Sequence, residues 1–125
     1  IMPFNENTYL RIKKLLILKG IEFVDKKMFG GIAFMLNDKM CFGVMKEQIM
    51  LRVLDENYEL LLQRNHFHTM DFTGKIMKGF LLIDKEAFTR DLALSEILEY
   101  GIEFSIKGVL KSKKTNNVSL SPLTE

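Results

Sequence analysis

The hydrophobic period of the chain changes at Gly20, and that change limits what it can fold into. Between about Asn5 and Lys19, Ile12, Leu15 and Leu16 recur at helical spacing while Lys13 and Lys14 fall on another side. This is the pattern of an amphipathic helix, with Gly20 placed as its C-terminal stop. From Phe23 to Val53 short β-rich runs are divided by Gly30-Gly31, Asn37-Asp38 and Lys46-Glu47, pairs that suit tight hairpin turns. The pattern predicts an antiparallel meander of about four strands.

Asp55 is placed to cap a second helix running to about Arg64, with Tyr58, Leu61 and Leu62 on its buried face. The stretch from Asn65 to about Lys75 is expected to be a loop. Gly79-Phe80-Leu81-Leu82-Ile83 is apolar without alternation, as in a strand with both faces covered, and is expected to pair with the meander. A last helix from about Asp91 to Phe104 would pack through Leu94, Ile97 and Leu98. Gly101 inside it costs about 1 kcal/mol against Ala, which points to a close approach of helix to sheet. The expected fold is a two-layer α+β domain in the order α-β-β-β-β-α-β-α, an antiparallel sheet of about five strands packed against helices. It is expected to span residues 1–106, followed by a basic, flexible tail over 107–125.

With 125 residues, of which 47% are hydrophobic, the chain suits one buried core. Its longest apolar clusters, Leu15 to Leu18 and Phe80 to Ile83, fall far short of the ~20 residues that cross a bilayer. The start lacks the basic and apolar regions of a secretory signal. Cys41 is the single cysteine, so no intramolecular disulfide forms, and a cytoplasmic location is expected. The net charge of +2 is uneven: acids and bases nearly balance up to Glu103, leaving Lys107, Lys111, Lys113 and Lys114 as a basic cluster. Nucleic-acid binding by phosphate neutralisation would start from that tail together with Lys26 and Lys27. A solvated tail is the plainer reading.

If the two-residue turns are regular, Ala33, Met35, Met40, Phe42, Val44, Ile49, Leu51 and Val53 share the core face of the sheet. The opposite face then carries Ile32, Phe34, Leu36, Cys41, Gly43, Met45, Gln48, Met50 and Arg52, too apolar for a solvated surface. One explanation is a covering helix or C-terminal segment, or a register displaced by one residue. The other is a homodimer or partner interface, with Phe34, Met45 and Met50 as apolar contacts and Arg52 as polar anchor.

Candidates for chemistry are few. His66 and His68, with Cys41 or Asp71, are metal-type ligands, but zinc sites usually show better-spaced ligand pairs, and two loop histidines without a metal are expected. Cys41 beside either histidine would resemble a nucleophile and base, yet a cysteine within an apolar strand is more often inert packing. Asp55 with Glu56, and Asp84 with Glu86, sit where helices begin and read as caps. The glycines of Met28-Phe29-Gly30-Gly31 and Asp71-Phe72-Thr73-Gly74 lack the spacing of a phosphate loop or dinucleotide fingerprint and read as turns. Lys26, Lys27, Lys75 and Lys78 would form a small anion-attracting rim if those loops converge. No residue is assigned to catalysis, to a cofactor or to a metal.

Four ordered blocks, Lys26 to Met35, Met40-Cys41-Phe42-Gly43-Val44, Met50-Leu51-Arg52-Val53 and Met70 to Gly79, resemble the characteristic segments of the TfoX N-terminal domain family. The resemblance covers about residues 6–106. It implies an antiparallel sheet packed on helices, and a bacterial, non-enzymatic regulator linked to DNA uptake competence and transcription. Full-length competence regulators of this type carry a second, helical domain, so the present sequence is expected to act as a stand-alone N-terminal domain. At the matching positions Met28, Phe29, Gly30, Gly31, Asp71, Phe72, Gly74, Lys78 and Gly79 a structural role is expected: glycines for turns, aromatics for the core, Asp71 for a loop hydrogen bond. Arg52 also matches.

Overall fold

The computed structural model describes residues 4–28 and 30–108. Phe29 and the tail lysines Lys111, Lys113 and Lys114 lie outside the described residues.

Helix α1 (Glu6–Leu18) begins where the Asn5 side chain accepts a hydrogen bond from the Thr8 amide at 2.9 Å. It ends at Gly20, whose φ of +72° lets the Ile21 amide turn back to the Leu16 carbonyl at 3.0 Å. Ile12 and Leu16 are fully buried and Leu15 packs beside them. The meander follows as β1 (Val24–Met28), β2 (Gly31–Leu36), β3 (Lys39–Met45) and β4 (Gln48–Arg52). Asn37 and Asp38 both take positive φ, the geometry of a tight hairpin turn whose twist suits its strands. Helix α2 (Asp55–Leu62) buries Tyr58 and Leu61. Leu54, not Asp55, occupies its N-cap, and no side chain caps it.

Beyond α2 the chain forms β5 (Phe67–Phe72) and β6 (Lys75–Ile83), a short 3-10 turn (Lys85–Phe88) and α3 (Asp91–Lys107). The sheet is antiparallel with six strands in the order β1-β2-β3-β4-β6-β5, so the expected α+β class holds with one strand more. The added strand is β5, in the stretch expected to be a loop. It is an edge strand with His68 and Asp71 exposed, so its sequence is polar, while Phe67 and Met70 are buried. Thr73 and Gly74, both at positive φ, close the β5–β6 hairpin. Helix α3 continues through Lys107, past the expected end at Phe104.

The helices pack on one face of the sheet, and the register there departs from regular alternation. Phe34 pairs with Phe42, but Met35 pairs with Met40, leaving Cys41 as an extra residue in β3. This bulge reverses the expected assignment for β2: Ile32, Phe34 and Leu36 face the helices and join Phe42, Val44, Ile49, Leu51 and Val53 in the core. Ala33, Met35 and Met40 turn to the other face. Phe34 lies within 5.5–5.7 Å, ring centre to ring centre, of Tyr9, Phe23 and Phe42. Such aromatic pairs add about 0.5–1.5 kcal/mol each beyond the area they bury. Arg11 of α1 donates to Asp91 at 3.0 Å and to the Phe88 carbonyl at 2.8 Å, which ties the first helix to the start of the last.

Gly101 has the role its position suggested. A Cβ there would lie 2.4 Å from Phe42 Cδ2 and 3.1 Å from the Cys41 carbonyl oxygen, and Phe42 is fully buried and has no room to move. Gly101→Ala would gain about 1 kcal/mol of helix propensity but would overpack the core by more, leaving a net loss of about 1–2 kcal/mol. Thermal unfolding is expected to show a midpoint lowered by several degrees; a midpoint at or above that of the native protein would show that α3 does not need the close approach.

Candidate functional site

The face of the sheet turned away from the helices carries a second, smaller apolar cluster. Met50, Met70 and Phe80 are buried there, with Met40, Met45, Met77 and Leu82 packed against them. The pleat explains it: Ala33, Gly43, Met50 and Leu82 are successive partners across β2, β3, β4 and β6, and all point away from the helix layer. Ala33 and Gly43 contribute almost no side chain, so the surface is hollow between longer neighbours. The hollow is a cavity of about 220 Å³ lined by Met28, Met40, Met45, Met50, Met70, Met77 and Phe80 over a floor of Ile32, Ala33 and Gly43. The β5–β6 hairpin runs past the end of β4, whose last partner in β6 is Phe80. Gly79 lies at the point of departure with φ +92°, and Met70 and Met77 of the hairpin complete the cavity wall.

Six of the eight methionines in the chain therefore line one concavity. Thioether side chains are unbranched and polarisable, and they adapt their shape to what they contact more readily than Leu or Ile. No described helix covers this face.

The residues expected to form an interaction surface divide. Met45 and Met50 belong to the cavity, Met45 half-buried at its wall and Met50 only 3% exposed beneath. Phe34 does not: the bulge at Cys41 puts it at 0% exposure among the core aromatics, so its place on the open face is corrected. Arg52 is half-buried at the end of β4, with its guanidinium 4.6 Å from the ring centres of both Phe80 and Phe104. It stacks between the methionine face and α3, and burial lowers its pKa from the ordinary guanidinium value. Sequence reasoning missed Met28, Met40, Met70 and Met77 as members of the site. The only available signal was the number of methionines within the meander and the hairpin.

The matching family positions fall at turns and edges. Gly30 and Gly74 take positive φ in hairpin turns, and Lys78 with Gly79 borders a hollow beside Arg52, Asp55, Glu56 and Lys107. Lys26 borders a different hollow with Glu22, Asn37 and Asp38, so Lys26 and Lys78 do not share one anion-attracting rim. Asp71 is an exposed residue of β5 paired with Ile76, and not a loop residue.

The chemistry candidates separate further. Cys41 is fully buried, its thiol pushed up to about 11 by burial and donating weakly to the Lys39 carbonyl at 3.4 Å. A thiol in that state has no nucleophilic character near neutral pH. His66 and His68 meet neither Cys41 nor Asp71. They meet Asp84, which accepts from His68 Nε2 at 2.7 Å and from Gln48 Nε2 at 2.9 Å. These bonds, that of His68 first, hold the Asp84 carboxyl below the usual carboxylate range. Asp84 stands at the N-cap of the 3-10 turn, but its side chain makes no capping bond, so the reading of it as a cap is corrected.

The fold and the open face define a class: a small α+β domain with one sheet face buried under helices and the other offering a methionine-lined concavity. The chain belongs to the TfoX N-terminal domain family, whose model matches residues 18–105. At family level this is a competence-related regulatory domain, and the family is not a known enzyme family. No curated relative and no solved structure matches the chain. No described helix is long and apolar enough to cross a membrane.

The state of Cys41 is open to direct measurement. At pH 8 a thiol with a pKa near 11 is about one part in a thousand thiolate, and this one is also shielded from solvent. In the folded protein Cys41 is expected to react with a disulfide reagent far more slowly than after denaturation in guanidinium. Equal rates before and after would show that the bulge does not bury it.

Proposed function

We propose that this chain is a non-enzymatic regulatory module that acts through its methionine face, in the first instance by pairing with a second copy of itself. The observation that carries the reading is the cavity walled by Met28, Met40, Met45, Met50, Met70 and Met77 on a face that no described helix covers. Apolar concavities of this kind on small domains mark surfaces that associate, and a sheet face suits two-fold self-association. Methionine-rich surfaces re-pack around what they meet, which suits a module that exchanges partners. Membership of a family of competence-related regulatory domains supports a role in regulating DNA uptake or transcription through such contacts.

Met45 and Met77 are half-buried at the cavity wall, so they are the positions to change without disturbing the core. Sedimentation of the native protein is expected to give the mass of a dimer. The double variant Met45→Glu with Met77→Glu is expected to keep its circular dichroism spectrum and to run as a monomer. Unpaired carboxylates at such an interface cost several kcal/mol, about a hundredfold or more in dimer affinity. A native protein that sediments as a monomer at every concentration would remove the self-association reading.

A further inference from the structure

The β5–β6 pairing gathers a second group of side chains, distant in function from the methionine face and absent from any role so far described. Phe67 pairs with Ile83, and the ladder is extended by the Asp84 amide donating to the His66 carbonyl at 2.9 Å. His66 and Asp84 are thereby fixed opposite one another. His66 takes a φ of +73°, a left-handed conformation that histidine adopts more readily than most side chains but that remains uncommon. The following 3-10 turn then brings up Glu86. One ligand atom each from His66, Asp84 and Glu86 lies within 4.8 Å of the other two.

Two features separate this group from a chance meeting of surface charges. The Asp84 carboxylate is held at both oxygens, Oδ1 by Gln48 Nε2 and Oδ2 by His68 Nε2, so its orientation is set by neighbours that are not themselves within the triad. That is the arrangement by which outer groups orient a metal-ligating carboxylate. Glu86 forms no hydrogen bond or ion pair among the described residues, and the one charged contact of the His66 ring is to Asp84 Oδ2, at 3.7 Å. A carboxylate and an imidazole are thus free to turn toward a common centre.

We infer that His66, Asp84 and Glu86 form a binding site for a divalent transition-metal ion of the zinc class. The imidazole nitrogen favours a transition-metal ion over calcium and magnesium, which prefer all-oxygen sites. One nitrogen and two carboxylates suit zinc, which binds such ligands at about 2.0–2.2 Å. Ligand atoms around a tetrahedral ion at that distance stand about 3.4 Å apart, so the triad closes by rotation of the exposed His66 and Glu86 side chains toward the held Asp84 carboxylate. The fourth position is left to water, and the exposure of His66 and Glu86 makes the ion exchangeable. His68 is a positioning residue that holds Asp84.

The test is a calorimetric titration of the tag-free protein with zinc chloride in excess magnesium. One equivalent is expected to bind. His66→Ala and Glu86→Gln, both changes at exposed positions, are each expected to weaken binding by about tenfold or more while the metal-free melting temperature stays unchanged. His68→Ala is expected to weaken it by about tenfold through loss of the outer contact. Nuclear magnetic resonance of the histidine ring nitrogens provides a second readout, in which His66 shifts on zinc addition. Absence of saturable binding in the native protein overturns the site. So does native affinity in Glu86→Gln, which would reduce the effect to surface chelation by histidine alone.

Discussion

The extra residue in β3 at Cys41 is the constraint on which the rest of the structure depends. With regular pairing from the Asn37-Asp38 turn, Phe34 would face away from the helices. The bulge moves its partner from Cys41 to Phe42, and the two rings pack 5.6 Å apart beneath α1 and α3. Every other assignment on the sheet follows. Tyr9 and Phe23 close on Phe34 from the helix side, and α3 presses close enough at Gly101 to touch the ring of Phe42. On the far side the same shift gathers Ala33 and Met40 beside Gly43, Met45 and Met50. One inserted residue therefore builds both the core and the concavity, and the family block around Met40-Cys41-Phe42-Gly43-Val44 coincides with it.

The sequence was most legible where local physical signals agreed with one another. Gly20 at a helix stop, the four strands of the meander, the buried stripe of α3 and the close approach at Gly101 could all be read from period, turn chemistry and a single costly glycine. The bulge could not, because nothing distinguishes Met40-Cys41-Phe42 from a regular apolar strand until tertiary packing decides that two aromatic rings must meet. Strand β5 was hidden for the opposite reason: an edge strand exposes polar side chains and so carries the composition of a loop. The histidines were visible as metal-type residues, but their partner Asp84 and the nearby Glu86 looked like helix caps. Only the pairing of β6 with both β5 and β4 shows that Asp84 points its carboxylate at His68 and Gln48 and leaves the amides of its own turn uncapped.

The methionine face has an energetic implication of its own. A cavity of about 220 Å³ sealed inside a domain would cost about 5 kcal/mol at the usual ~24 cal/mol per Å³, a large share of the 5–15 kcal/mol that ordinarily separates folded from unfolded chains. The hollow is open to solvent, so that cost is replaced by unfavourable hydration of apolar surface. Leu or Ile at Met40, Met45 and Met77 would fill the space with stiffer side chains and a fixed shape. The use of thioethers on this face, against aromatic and branched residues on the other, separates a rigid core from a deformable surface within one sheet.

Arg52 joins these two environments. Its guanidinium lies between Phe80, which belongs to the methionine cluster, and Phe104, which belongs to α3, with no carboxylate partner among the described residues. Stacking of this kind is worth about 0.5–2 kcal/mol when partly desolvated, and its dependence on both rings makes it sensitive to either layer. Re-packing of Met50 and Met70 around an occupant would bear first on Phe80, their neighbour in the cluster. Phe80 bears in turn on Arg52, and Arg52 on the last turns of α3, where Asn37 and Lys39 already hold the Ser105 carbonyl at 3.2 and 3.1 Å. The open face and the C-terminal end of α3 are thus connected through a single half-buried cation, a contiguous path of contact from the deformable surface to the rigid layer.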